Sequence, residues 1–183
     1  MGVYTLQETI FRNARRAGLS EIGEVDISVL RHEGWVRKLC EENACRNYST
    51  NWACPPAVGT LEECRERCRS FDHMLLFNKV YTLRDSYDLE GMYDSMRMFR
   101  HTVDRFDWFV GSLFSRKLFL ANGACGNCPK CAWPDEPCRF PDRLHHSIEG
   151  YGFNIMKLAA HAGIEYSHGY KTITLFGALF YCE

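Results

Sequence analysis

The sequence lacks most of the features that assign a function at a glance. No stretch approaches the roughly 18 apolar, uncharged residues of a membrane-spanning helix. The first 18 residues carry no apolar run like a signal-peptide core. Leu6 stands where a myristoylation signal after Gly2 has Ser or Thr. Neither sign of charge dominates: Lys and Arg number 22, Asp and Glu 23, for a net charge of -1. That balance argues against general binding to nucleic acid or anionic membranes, although it leaves room for a local basic patch. There is no Gly-rich phosphate loop, nucleophile elbow or HExxH. No repeat, low-complexity run or Ser/Gly/Pro-rich linker divides the chain. Residues 1–183 therefore read as one domain, a length at which a single core is usual.

What the sequence does have is cysteine, 10 in 183 residues. That is about 5.5%, below the level of a disulfide scaffold. A chain of this length can build a core without staples. Without a leader, the expected compartment is a reducing cytoplasm. There, clustered cysteines mean metal or redox chemistry more often than disulfides.

The periodicities predict α+β: a small mixed or antiparallel sheet, one long helix and two cysteine-rich loops. A helix is expected from about Thr5 to Ala17, ended by Gly18. Alternation of Val25, Ile27 and Val29 predicts a strand over Glu24–Leu30. Thr60 and Glu63 form a capping-box pattern before a helix at Leu61–Ser70. His73–Leu83 reads as a strand. Apolar residues at three- and four-residue steps predict a helix from about Leu89 to Leu120. Two short helices are expected at Leu144–Glu149 and Asn154–Ala162, the second stopped by Gly163. Strands at Ile164–His168 and Thr172–Tyr181 end the chain.

The strongest chemical signal is Cys125-Gly-Asn-Cys128-Pro-Lys-Cys131, followed by Cys138-Arg-Phe-Pro141. Three cysteines at successive two-residue gaps let one loop wrap a compact inorganic core, with backbone N–H groups free to bond sulfide. Ferredoxin-type loops hold a [4Fe–4S] cluster in this way, with a fourth cysteine further on. Here the gap to Cys138 is longer, and Arg139 stands where proline would follow. Gly123 and Gly126 suit a tightly turning loop. The alternative is a four-thiolate zinc site, although zinc usually joins two separate knuckles.

A second set is Cys40-x4-Cys45-x8-Cys54-Pro55-Pro56. It could hold three irons of a second cluster, exchange Cys54 with the other loop, form a zinc site completed by histidine, or be inert. Two cubane clusters need about eight thiolates, and the two loops supply seven cysteines. The eighth ligand is open among Cys64, Cys68, Cys182 and a histidine. Cys64 and Cys68 share a helix face and read more simply as small buried residues.

The pattern Cys40-x4-Cys45-x2-Tyr48-x3-Trp52-x-Cys54-Pro55-Pro56, then Gly123-x-Cys125-x2-Cys128-x2-Cys131-x6-Cys138-Arg139-x-Pro141, resembles an uncharacterised family. It is the family of predicted metal-binding proteins known as domain of unknown function 2284. Ser147-x-Glu149 and Gly152-Phe153-Asn154 extend the resemblance, which runs from about Trp35 to Gly163. It implies a metal-binding, iron–sulfur protein of mostly anaerobic microbes, and no particular reaction. Cys64, Cys68 and Cys182 fall outside the pattern.

Near the loops, Lys38, Arg46, Lys130, Arg139 and Arg143 either offset cluster charge or are solvated surface groups. Trp52 and Trp133 either shield a metal from water or pack as ordinary aromatics. His145-His146 is a candidate acid/base or ligand pair with no visible partner. The function expected is electron transfer or redox support of a larger partner enzyme through two [4Fe–4S] clusters. The alternatives are an enzyme with an open-site cluster and a zinc-stabilised interaction module. No substrate or oligomeric state is legible.

Overall fold

The structure is a computed structural model describing residues 4–183, so Met1 and Gly2 lie outside the described residues. The helix α1, Leu6–Ala17, opens on a capping box in which Thr5 accepts from the Glu8 N–H and Glu8 reaches back to Thr5. The strand β1, Glu21–Val25, follows. Helices α2, Gly34–Glu41, and α3, Leu61–Arg69, come next; Thr60 and Glu63 cap α3 as their spacing predicts. Then come β2, His73–Thr82, the long helix α4, Leu89–Val110, and β3, Arg116–Ala121. The chain closes with β4, His146–Ser147, α5, Ile155–Ala162, and β5, Thr172–Cys182.

The strands form one mixed sheet in the order β1-β2-β5-β3-β4. Every pairing is antiparallel except β3 with β4, which run parallel over Leu120–His146 and Ala121–Ser147. Alternate strand residues point to opposite faces. Leu75, Phe77, Phe119 and Leu179 pack on one face against Ile10 and Ala14 of α1 and Phe99, Val103 and Phe106 of α4. Met74, Leu76, Leu120 and Phe180 pack on the other against Cys64 and Cys68 of α3 and Leu158 and Ala159 of α5. The central strands are thus covered on both sides and read as apolar runs. At Gly23 a side chain would overlap the Ala162 carbonyl, so α5 can lie this close to β1 only over a glycine.

The α+β class and the long helix are as expected, but several boundaries differ. Residues Ile27–Val29 form a 3-10 turn capped by Asp26 rather than continuing β1. α4 ends at Val110 and a 3-10 turn, Gly111–Leu113; the apolar residues beyond belong to β3. Leu144–Glu149 is not helical, because His146 and Ser147 pair with β3. Residues 164–168 form no strand, and Glu165–His168 are exposed. α2 was unexpected; it begins without a side-chain cap and carries Cys40 in its last turn. No helix among the described residues is long and apolar enough to cross a membrane.

Candidate metal centre

The loop bearing Cys125, Cys128, Cys131 and Cys138 leaves the end of β3 and returns to β4. It is thus the crossover of a parallel strand pair, a connection usually made by a helix. Its ends are tied together by the Asn127 side-chain amide, which donates to the Arg143 carbonyl at 2.7 Å. Arg139 donates to the Lys130 carbonyl at 2.9 Å and ties the middle. Gly123 and Gly126 take φ of 72° and 70°, the left-handed turns that glycine allows at low cost. All four cysteines line one cavity with Ala132 and Leu144. No carboxylate or imidazole lines it. A set made only of thiols fits a thiophilic metal or an iron–sulfur cluster.

Cys125 is held above the ordinary thiol range, mainly by burial, while the Asn127 backbone N–H bonds to it and opposes the shift. A metal must displace the proton such a thiol carries.

The other cysteine set is built differently. Cys40 sits in the last turn of α2, Cys45 is exposed in the turns that follow, and Cys54 is buried. Burial pushes the Cys40 and Cys54 thiols up to about 11. The negative charge of Glu149 adds to the rise at both. Asn51 and Ser147 hydrogen-bond the Cys54 thiol and oppose it.

The two loops meet. Asn51 and Trp52 of the first line the cavity of the second. Trp52 and Trp133 pack edge to face with ring centres 4.6 Å apart. The Trp52 indole N–H donates to the Glu136 carbonyl at 3.1 Å. Both tryptophans therefore pack between the loops, with Trp52 forming one wall. Among the described residues, no three His, Cys, Asp or Glu side chains converge closely enough to hold a single ion.

A model of the family described as predicted metal-binding protein (DUF2284) matches residues 23–181. The chain belongs to that family. No curated protein and no solved structure is detectably similar to it. In this DUF2284 chain the match takes in both cysteine loops and all of the sheet but the first two residues of β1 and the last of β5.

The remaining cysteines lie elsewhere. Cys64 and Cys68 are fully buried in the core under α3. Cys182 pairs in register with Arg116, whereas the Cys125 loop departs from Ala121, five residues along β3. At the rise of a strand that is about 17 Å. His145 lies between carboxylates, with Nε2 3.2 Å from Asp107 and Nδ1 3.7 Å from Asp104. His146 faces the Tyr151 hydroxyl at 3.0 Å, and burial lowers its pKa to about 4. Arg143 pairs with Asp104 at 2.8 Å. A cavity of about 410 Å³ lined by Arg31, His32, Arg65, Cys68 and Arg69 holds none of the seven loop cysteines.

Two residues near the loops had no role legible in the sequence, although Glu149 stood in the Ser147-x-Glu149 pattern. Arg100 of α4 reaches Gly126, where its guanidinium fills the space a side chain would take. Its charge acts on both Cys125 and Cys54, and its Nε is buried without a partner. Glu149 is densely surrounded by protein yet retains some accessible surface, and burial raises its pKa.

Proposed function

We propose that the chain is one iron–sulfur domain carrying two [4Fe–4S] clusters. Cys125, Cys128, Cys131 and Cys138 hold one, and Cys40, Cys45 and Cys54 hold the other. The observation that carries this reading is the single cavity lined by four thiols, with the other cysteine loop as one of its walls. A tetrahedral zinc site draws its sulfurs within about 4 Å of one another, since each lies about 2.3 Å from one ion. A cubane binds each thiolate at a different iron and so spaces its sulfurs more widely.

Such clusters supply one-electron redox chemistry. The chain's own residues set its terms: Trp52 and Trp133 pack between the loops, and Arg100 places positive charge near both cysteine sets. Two adjacent centres without a conventional catalytic motif fit electron transfer to a partner protein, in a reducing compartment such as the cytoplasm. A second reading, an enzyme with an open iron acting as Lewis acid, is favoured only by the first loop's count of three thiols.

The test is analysis of the full chain purified without oxygen. About eight irons and eight acid-labile sulfides per chain are expected, with reversible one-electron reduction seen by EPR. Stoichiometric zinc without sulfide overturns the proposal and leaves a zinc-stabilised module. Fully loaded clusters that do not reduce reversibly overturn the electron-transfer role.

A further inference from the structure

We propose that the Glu149 carboxylate is the eighth cluster ligand, binding the iron that Cys40, Cys45 and Cys54 leave uncovered. The inference rests on the iron–sulfur reading above and concerns the same first-loop site.

Three contacts hold the segment around Glu149 against that loop. The Ser147 N–H donates to the Ala53 carbonyl at 2.7 Å, next to Cys54. A side chain at Gly150 would come within 3.2 Å of Pro55, on the other side of Cys54. Arg37, one turn before Cys40 on α2, donates to the Gly150 carbonyl at 2.5 Å. Residues 147–150 are therefore fastened to both ends of the loop, with Glu149 between the fastenings. Its charge acts on the Cys40 and Cys54 thiols alike.

The carboxylate is oriented rather than loose. The Asn122 side chain donates to one oxygen, and the Gly123 N–H to the other at 3.2 Å. Each carboxylate oxygen has a second lone pair, so capacity remains to bind a metal. Donors of this kind fix a ligand's direction. No Lys, Arg or His pairs with Glu149 among the described residues. A carboxylate this deep without a cation is costly. Burial raises its pKa toward the protonated form, and a bound iron would replace that proton. The rival candidates are placed elsewhere: Cys64 and Cys68 in the core, Cys182 at the far end of β3, and His145 and His146 on other partners.

The experiment uses the full chain, reconstituted with iron and sulfide without oxygen, as wild type, Glu149→Gln and Glu149→Cys. Far-UV circular dichroism checks folding. Ferricyanide takes one electron from an incompletely thiolate-bound [4Fe–4S]²⁺ cluster, which loses Fe²⁺ and leaves [3Fe–4S]⁺. Wild type is expected to give that EPR signal from one cluster per chain. Glu149→Gln is expected to lose about one Fe²⁺ per chain without any oxidant, which leaves [3Fe–4S]⁰; ferricyanide then takes one electron from it and gives the same signal with no further iron released. Glu149→Cys is expected to suppress it severalfold, because a thiolate holds the fourth iron more tightly. Equal iron content in wild type and Glu149→Gln overturns the ligand role. If Glu149→Gln does not fold, an equal [3Fe–4S] yield in wild type and Glu149→Cys overturns it instead. Wild type that binds no iron and sulfide defeats the cluster reading itself, and this inference with it.

Discussion

The two cysteine loops are built by opposite routes. The loop after β3 is local: four thiols within 14 residues line one cavity, and its own Asn127 and Arg139 hold it in shape. The first loop is assembled from separate parts: a helix end at Cys40, an exposed turn at Cys45 and a buried Cys54. Its surroundings come from β4, Glu149 and Arg37. A local site carries its specification in its spacing. An assembled site depends on the sheet being in register first.

The largest effect that would break this contrast is expected from Cys128→Ala. It removes about four irons per chain while the first loop keeps its own cluster, as read by iron analysis and EPR. Loss of both clusters would mean that the loops form a single cooperative unit, which the Trp52–Trp133 contact permits.

Acid should act on the frame both loops share. His146 lies on β4, and its folded pKa of about 4 is below the ordinary 6.5. The folded state thus binds fewer protons than the unfolded chain between those values. Stability is full above about pH 6.5 and falls as pH drops toward 4. Between pH 7 and pH 5 the loss is about 2 kcal/mol, seen as a lower urea midpoint. His146→Gln should flatten the profile without altering metal content at pH 7.

Arg100→Gln is a finer probe. One positive charge near both Cys125 and Cys54 should raise both potentials. Its removal lowers them by tens of millivolts in a redox titration. A shift confined to one cluster would show that Arg100 serves one loop alone. The smallest effect is expected at the α3 cap, away from both loops: Thr60→Ala costs about 1 kcal/mol in denaturant and no metal.

What the sequence disclosed follows the same division. The Thr60–Glu63 capping box, the Gly163 stop and the apolar period of α4 were legible because each lies within a few residues. The overrun of α4 into β3 was not avoidable by period alone, since Val110, Phe114 and Leu118 keep four-residue apolar steps across the 3-10 break. The Cys125 loop was legible as a metal motif. The roles of Arg100, Asn122 and Glu149 were not, although Ser147-x-Glu149 was visible as a pattern. Those side chains reach the loops only once β3 and β4 are paired and α4 is laid across the sheet.

The crossover between β3 and β4 has a consequence for the chain without metal. A helix in that position would bring its own hydrogen-bonded ladder and hold β4 in place. The cysteine loop has no such ladder, and β4 covers β3 over only two residues. Once the loop slackens, Leu120 and Ala121 lose their β4 partners and lengthen the stretch of β3 edge that β4 leaves unpaired at Leu118 and Phe119, a template for pairing with another chain. Metal held at this loop, as proposed, would therefore also guard against aggregation. Chelation should produce β-rich assemblies, detectable by light scattering and thioflavin fluorescence, before it unfolds the rest of the sheet.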